Sequence, residues 1–150
     1  MALDSSAKKS NFYFSLKKYI IDNLAIAEGL HVIFDAFLPP EKNVSRWISV
    51  IQGQLDRNTL SNYDFQIYCV TRQDYEGDQL ATLCDLVVGY FLGDLTKNDT
   101  LIRIPFYDSV TKVQNGSMII TKCEESELAD APDQSKFLVL SITAKMASII

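Results

Sequence analysis

The chain is poor in the residues that most often carry chemistry. Histidine occurs once, at His31, and the three cysteines, Cys69, Cys84 and Cys123, lie far apart with no CxxC pair. A zinc site therefore has no spacing signal, and scattered cysteines among apolar neighbours indicate reduced, buried thiols. The six glycines stand singly, so the chain has no phosphate-binding glycine loop. We expect no metal, no cofactor and no catalytic site.

Long apolar runs are also missing. No stretch approaches the roughly 18 continuous apolar residues of a membrane span, since the longest candidate, Leu83–Leu92, is too short and includes Asp85. The start of the chain has an acid at Asp4 and no apolar run after its lysines, so we expect no signal peptide. A net charge of −5 argues against a protein that grips nucleic acid through phosphates. We expect a protein that stays in a cytoplasm, or in something assembled there, without a membrane.

A buried strand and an amphipathic helix form the centre of the chain. Tyr63–Thr71 alternates Phe65, Ile67 and Cys69 on one face with polar residues on the other, which predicts a strand. The helix that follows has an apolar stripe at spacings of three and four, made of Leu80, Leu83, Cys84, Val87, Val88, Phe91 and Leu95. Thr71 or Asp74 is expected to cap this helix. Gly89, inside the stripe, predicts close packing on a strand.

The other elements follow from periodicity and turn residues. The sequence predicts a first helix from Lys8 to about Glu28, which Gly29 ends. The predicted strands are Leu30–Phe37, Arg46–Leu55, Leu101–Tyr107 and Lys136–Met146. An Asn-Gly hairpin turn is expected in Val113–Ser117, before a strand arm Met118–Glu124 and an acidic loop Glu125–Ser135. Pro105 predicts that its strand lies at an edge or is kinked. At 150 residues we expect one domain, 1–150, of α+β class, with the order α-β-β-β-α-β-β-β. Its mostly antiparallel β-sheet is expected to have two α-helices packed on one side.

Two arrangements of polar residues offer alternative chemistry. His31 and Asp35 fall on one strand face as half of a possible catalytic triad, although no nucleophile motif accompanies them. Two acidic sets, Asp74/Glu76/Asp78 and Glu124/Glu125/Glu127, offer oxygens to a divalent cation. Helix N-terminal charge explains the first acidic set, and a solvated loop explains the second.

Several segments together resemble a known family. They are Phe34-Asp35-x-x-Leu38-Pro39, Trp47, Cys69–Gly77 leading into Leu80–Asp85, and the strand Ile-Arg-Ile-Pro-Phe-Tyr-Asp. Over roughly residues 8–124, this layout resembles the tail terminator proteins of long-tailed bacteriophages and their head–tail completion relatives. The C-terminal strand has no counterpart in that pattern.

The resemblance implies a mixed sheet with two helices on one side and a non-enzymatic structural protein of the virion. Six copies would form a ring that caps the tail tube, stops its elongation and presents the head-joining surface. The implied partners are further copies of the chain, the tail tube protein and a head-completion or connector protein. DNA would pass through the lumen without specific binding. The location would be the head-proximal end of the tail, after assembly in the host cytoplasm.

A ring requires one surface of a subunit to meet a different surface of the next. The predicted self-association residues lie in two segments, a protruding loop and an edge strand: Leu38, Pro39, Pro40, Glu41, Arg103, Pro105 and Tyr107. Two alternatives stay open. One is a head-completion or connector protein, and the other is a small cytoplasmic enzyme or ligand-binding α+β domain with its site between sheet and helices.

Overall fold

The structure is a computed structural model that describes residues 8–36, 45–56, 60–74, 76–92, 102–130 and 135–147. Its elements, in chain order, are helix α1 (Lys9–Ile20) with a π-helical continuation (Ile21–Ile26), strands β1 (His31–Phe34), β2 (Arg46–Asp56) and β3 (Leu60–Thr71), helix α2 (Asp78–Leu92), and strands β4 (Arg103–Tyr107), β5 (Gln114–Glu125), β6 (Ala129–Asp130) and β7 (Lys136–Ala147). The predicted order is confirmed. The two-residue β6 is an addition within the predicted acidic loop.

The strands form one curled, mixed sheet in the order β1-β2-β3-β7-β5-β4, and β6 pairs with β7. Strand β1 runs parallel to β2, whereas the other described pairs are antiparallel. The last long strand therefore lies in the middle of the sheet, between β3 and β5. Leu140, Ile142 and Ala144 on one face of this strand are buried, whereas Phe137 and Val139 on the other face are half-buried.

One face of the sheet holds the core. Tyr63, Phe65, Ile67 and Cys69 of β3 are buried there, next to Leu140, Ile142 and Ala144 of β7. Helix α2 covers them with its predicted stripe, of which the described members are all buried: Leu80, Leu83, Cys84, Val87, Val88 and Phe91. Helix α1 packs against the same core through Phe12, whose ring centroid lies 5.3 Å from that of Tyr63 and 4.9 Å from that of Phe106. The prediction of two helices on one side is confirmed.

Helix α1 contacts both edge strands of the curled sheet. Toward β4, Ser15 Oγ accepts a hydrogen bond from the backbone N–H of Tyr107 at 2.8 Å, and Asn11 Oδ1 accepts one from Ser109 at 3.0 Å. At the end of β1, Tyr13 donates its hydroxyl hydrogen to Asp35 Oδ2 at 2.7 Å. At β4, the bond from Tyr107 to Ser15 satisfies an N–H group that an exposed edge would offer to another strand.

The helix ends are built as the sequence predicts. Asp74 accepts hydrogen bonds from the backbone N–H groups of Leu80, at 2.8 Å, and Gln79, at 3.3 Å, and so caps α2. Gly29 has φ +65 after the π-helical segment, and the N–H of Leu30 reaches back to the carbonyl oxygen of Leu24 at 3.1 Å. This bond closes the C-terminal end of the helix, where Gly29 has a left-handed conformation.

Two details differ from the sequence predictions. The hairpin turn is not at Asn115-Gly116, because these residues lie within β5, where the register shifts and Gly116 has φ +150. The turn occupies residues 108–113 instead, because the Asp108 carboxylate builds it earlier in the chain. Gly89 is also not in close contact with a strand, since a methyl group placed there would meet no atom within 4 Å.

Candidate functional site

The predicted contact strand Arg103–Tyr107 is β4, and it lies at an edge of the sheet, as Pro105 indicated. Arg103 is exposed, and Pro105 and Tyr107 are half-buried. The other predicted contact residues, Leu38, Pro39, Pro40 and Glu41, lie outside the described residues.

The backbone of β4 is poorly suited to pair with another strand. The carbonyl oxygen of Ile102 accepts the N–H of Ile120 at 3.1 Å, so even-numbered residues point their backbone groups toward β5. The odd-numbered residues then point outward. Pro105 has no N–H, and that of Tyr107 is bonded to Ser15. A contact at this edge must therefore depend mainly on side chains.

The turn after β4, residues 108–113, is tightly held. Asp108 Oδ1 accepts the N–H groups of Val110, at 2.8 Å, and Thr111, at 3.0 Å. The backbone N–H of Asp108 also donates to the carbonyl oxygen of Val113 at 3.0 Å. Lys112, at φ +63, places its ammonium 4.1 Å from the ring centroid of Phe14 and donates a hydrogen bond to the carbonyl oxygen of Ser109. The turn is thus fixed both internally and to α1.

This rigid turn presents apolar side chains to solvent. Val110 is 85% exposed and Val113 is 61% exposed. Tyr107, just before the turn, is half-buried, and its ring centroid lies 6.2 Å from that of Phe14. Exposed apolar groups on an ordered protrusion are suited to protein contact because little conformational freedom is lost on binding. Sequence reasoning missed this surface. The available signal was Asp108 at the start of Asp-Ser-Val-Thr-Lys, since an Asp side chain readily bonds to backbone N–H groups two and three residues on.

Asp35 fixes the corner from which the predicted protruding loop departs. Its oxygens accept hydrogen bonds from the Tyr13 hydroxyl and from the backbone N–H and side-chain amide of Gln52, at 2.7, 3.2 and 3.1 Å. Burial raises the pKa of this carboxyl, but these bonds and the nearby Lys17 charge outweigh burial and lower it. Its φ of +56 is a left-handed conformation that aspartate adopts more readily than most residues. Asp35, the acid of the possible His31–Asp35 pair, therefore stabilises the backbone at this corner.

The carboxylates of Asp74 and Asp108 also accept hydrogen bonds from backbone N–H groups. Burial works to raise the pKa of Asp74, but hydrogen bonds from Leu80, Gln79, Thr71 and Gly77 lower it below its ordinary value. The N–H groups of Thr111 and Val110 lower the pKa of Asp108. A carboxyl that acts as a general acid near neutral pH needs a raised pKa instead. The lowered pKa values fit ionised carboxylates that accept backbone hydrogen bonds, Asp74 at the start of α2 and Asp108 in the turn.

The cysteines are free thiols, with Cys69 and Cys84 buried and Cys123 partly buried. A hydrogen bond with Cys84, together with burial, raises the pKa of Cys69, and burial raises the pKa of Cys123 to about 11. Protonated thiols are weak nucleophiles and poor metal ligands. Cys69 and Cys84 are buried as predicted, whereas Cys123 is less buried than expected.

The described part of the chain has neither a cluster of metal-binding side chains nor a membrane-spanning helix. Within it, no three His, Cys, Asp or Glu side chains are grouped in a way that holds a metal ion. None of the described helices has the length and apolar character needed to cross a membrane.

The sheet has a polar groove between two of its bulges. The register of β2 shifts between Gln52 and Leu55, and that of β5 shifts between Ile120 and Lys122. Two adjoining cavities of about 820 and 530 Å³ lie between them. We call this surface the bulge groove; its charged lining residues are Lys9, Asp56, Asp64, Lys122 and Lys145.

Gly53 and a hydroxyl–carboxylate bond shape the floor of the bulge groove. Thr143 Oγ1 donates to Asp64 Oδ1 at 2.9 Å across β7 and β3. A methyl group at Gly53 would lie 2.6 Å from the backbone oxygen of Asp64, so only glycine allows β2 to approach β3 this closely. Bulges often re-aim side chains at functional surfaces. No pattern in the sequence predicts this groove.

Comparison with known proteins gives a likeness of fold. No protein-family model and no curated protein matches the chain significantly. One solved protein chain aligns at a TM-score of 0.53 with 10% identity, over 96% of each chain. A chain of the virion of a native gene transfer agent particle aligns at a TM-score of 0.47 with 15% identity, over 92% of each chain. The first alignment shows a shared fold.

Proposed function

We propose that this protein is a bacteriophage tail terminator, a structural protein that self-associates into a ring of six copies. The ring caps the tail tube, stops its elongation and provides the surface to which the head joins. The observation that carries self-association is the rigid turn at residues 108–113, which presents Val110 and Val113 to solvent at the sheet edge. The terminator role itself rests on the sequence resemblance described above.

The residues that carry the resemblance have architectural roles. Asp35 holds the corner after β1, Trp47 is fully buried on β2, and Asp74 caps α2. Gly77, at φ +81, turns the chain into that helix. A protein that acts through its shape needs such fixed corners, because the relative positions of its surfaces decide whether a ring closes.

We assign the self-association surface to two segments. The first consists of the β4 side chains Arg103, Pro105 and Tyr107, together with the turn at residues 108–113 that follows them. The second is the loop with Leu38, Pro39, Pro40 and Glu41. Because the β4 backbone has few outward donors, side chains must provide the contact.

The remaining partners follow from the same proposal. The tail tube protein meets one face of the ring, and a head-completion or connector protein meets the other, at the head-proximal end of the tail. Assembly takes place in the host cytoplasm. The acidic balance, with a net charge of −5, suits a lumen through which DNA slides, because like charge keeps phosphates from binding.

Electron microscopy of particles that lack this protein tests the role. Overlong tails identify a terminator, whereas tails of normal length with leaking heads identify a connector, which is the second candidate. A substrate consumed by the pure monomer would instead support the small-enzyme alternative and contradict the proposal.

A single charge reversal tests the β4 surface. We expect Arg103→Glu to weaken assembly and leave the monomer folded, because this side chain is exposed at the edge of the sheet. Asp85→Lys, an exposed reversal on α2, is the matched control. Normal assembly of the Arg103 variant would exclude β4 from the contact.

A further inference from the structure

The two edge strands of the sheet differ in what their backbones offer to another strand. At β4, Pro105 has no N–H, and the N–H of Tyr107 is bonded to Ser15. Strand β1, His31–Phe34, lies at the opposite edge, contains no proline and pairs with β2 on one side. An edge strand with unpaired backbone groups is a template for pairing with another chain.

One hydrogen bond shows which backbone groups of β1 point away from the sheet. The N–H of Asp35 donates to the carbonyl oxygen of Val50 at 2.7 Å, next to the pairing of Phe34 with Val50. Successive residues of a strand point their backbone groups to alternate sides. Ile33 and Asp35 therefore face β2, whereas the N–H and carbonyl groups of Val32 and Phe34 face outward.

These outward groups are left for a partner to bind. Among the described residues, the backbones of Val32 and Phe34 take part in no hydrogen bond outside the ladder with β2. The side chains of β1 are half-buried, so part of their surface also remains to be covered. The edge thus offers two donors and two acceptors in alternation. An ion would satisfy only one kind of these groups, whereas an extended peptide satisfies both.

We propose that the outer edge of β1 binds an extended, apolar peptide segment of a partner protein, which adds a strand to the sheet. Strands β2, β3, β7 and β5 lie inside the sheet and β4 is blocked, so a second copy offers this edge little beyond its own four-residue β1. The segment is apolar because Val32, Ile33 and Phe34 lie beside it on the two faces of the strand. This contact goes beyond the proposed ring and does not depend on it.

Amide hydrogen exchange of the full chain, measured by NMR with a model peptide, tests the pairing. The probe is the capped peptide Lys-Thr-Val-Ile-Val-Thr-Lys, whose centre favours strands and whose lysines keep it soluble. We expect the N–H groups of Val32 and Phe34 to exchange at least about tenfold more slowly with this peptide bound. Those of Ile33 and Asp35 should change less, because they already face β2. The matched control is the same peptide with its three apolar residues N-methylated, which cannot donate to the edge.

A pair of substitutions at Val32 tests the same edge from the protein side. Val32→Pro removes the outward N–H, and an edge strand tolerates proline where the N–H faces solvent. Val32→Ala shortens the side chain and keeps the N–H. We expect Val32→Pro to bind the peptide at least about tenfold more weakly than Val32→Ala does. Circular dichroism checks folding, and the N-methylated peptide with the wild-type chain decides the matter if Val32→Pro does not fold.

Four results would overturn this inference. Slow exchange of Val32 and Phe34 in dilute protein without peptide would mean that the edge is already paired within the chain. Protection that rises with protein concentration alone would make a second copy the occupant. Equal binding of the N-methylated peptide would show a contact through side chains, and no protection by either peptide would show a closed edge. Each of these results leaves the proposed ring to be judged by its own test, because none of them measures tail length.

Discussion

The same substitution, glycine to alanine, is expected to change stability in opposite directions at Gly53 and Gly89. Neither glycine has a positive φ, so the backbone conformation allows alanine at both positions. At Gly89, a methyl group meets no atom within 4 Å, and alanine in the middle of a helix stabilises by about 1 kcal/mol over glycine. We therefore expect Gly89→Ala to raise the free energy of unfolding.

At Gly53 the added methyl carbon would lie 2.6 Å from the backbone oxygen of Asp64 and 3.1 Å from its carbonyl carbon. Neither atom belongs to a flexible side chain, so β2 must move away from β3. Inserting a methyl group where there is no room costs about 1–3 kcal/mol. Gly53→Ala should therefore lower the free energy of unfolding and distort the bulge groove.

Urea unfolding followed by far-UV circular dichroism measures both effects. For a chain of this length, 1 kcal/mol corresponds to roughly 2–4 °C in Tm, which thermal scans also resolve. A Gly53→Ala protein as stable as the wild type would refute the close approach of β2 to β3. A destabilised Gly89→Ala protein would refute the open surroundings of that glycine.

Three further predictions concern the core, acid stability and the turn. Phe12→Ala should lower the free energy of unfolding by about 3–5 kcal/mol, because its buried ring contacts two other aromatic rings, while exposed Lys18→Ala should stay within about 0.5 kcal/mol. The pKa values of Asp35, Asp74 and Asp108 are lowered in the folded state, so the stability they contribute is present above the ordinary value of 3.8 and is lost as pH falls through the folded-state pKa values. The urea midpoint should therefore be lower at pH 3 than at pH 5. The difference should be smaller in Asp108→Asn, which lacks one of these carboxyls. Val110→Asp should leave the urea midpoint nearly unchanged and weaken self-association, and equal association in sedimentation would remove the turn from the interface.

The core of the fold was predictable because burial and periodicity coincide there. The stripe of α2 and the alternation of β3 both reflect one buried face, so each had a clear period. The acid at Asp74 was also recognisable as a cap, because an acid shortly before an apolar helical stripe has few other roles.

The turn at 108–113 was missed because two signals competed. Asn115-Gly116 is the stronger hairpin pattern. In the structure these two residues lie at a register shift within β5. The turn forms earlier in the chain, where the Asp108 carboxylate accepts backbone hydrogen bonds. The contacts of α1 with both edge strands join residues far apart in the chain, such as Ser15 and Tyr107, which no local pattern encodes. The bulge groove likewise depends on two irregularities in different strands that meet only after folding.

The central claim is that this molecule acts by docking onto copies of itself. Native mass spectrometry of the purified chain over a range of concentrations, alone and with tail tubes, tests that claim most directly. The account predicts a discrete closed species of six times the 16.9 kDa chain. A strict monomer under every condition, with tubes present or absent, would contradict it.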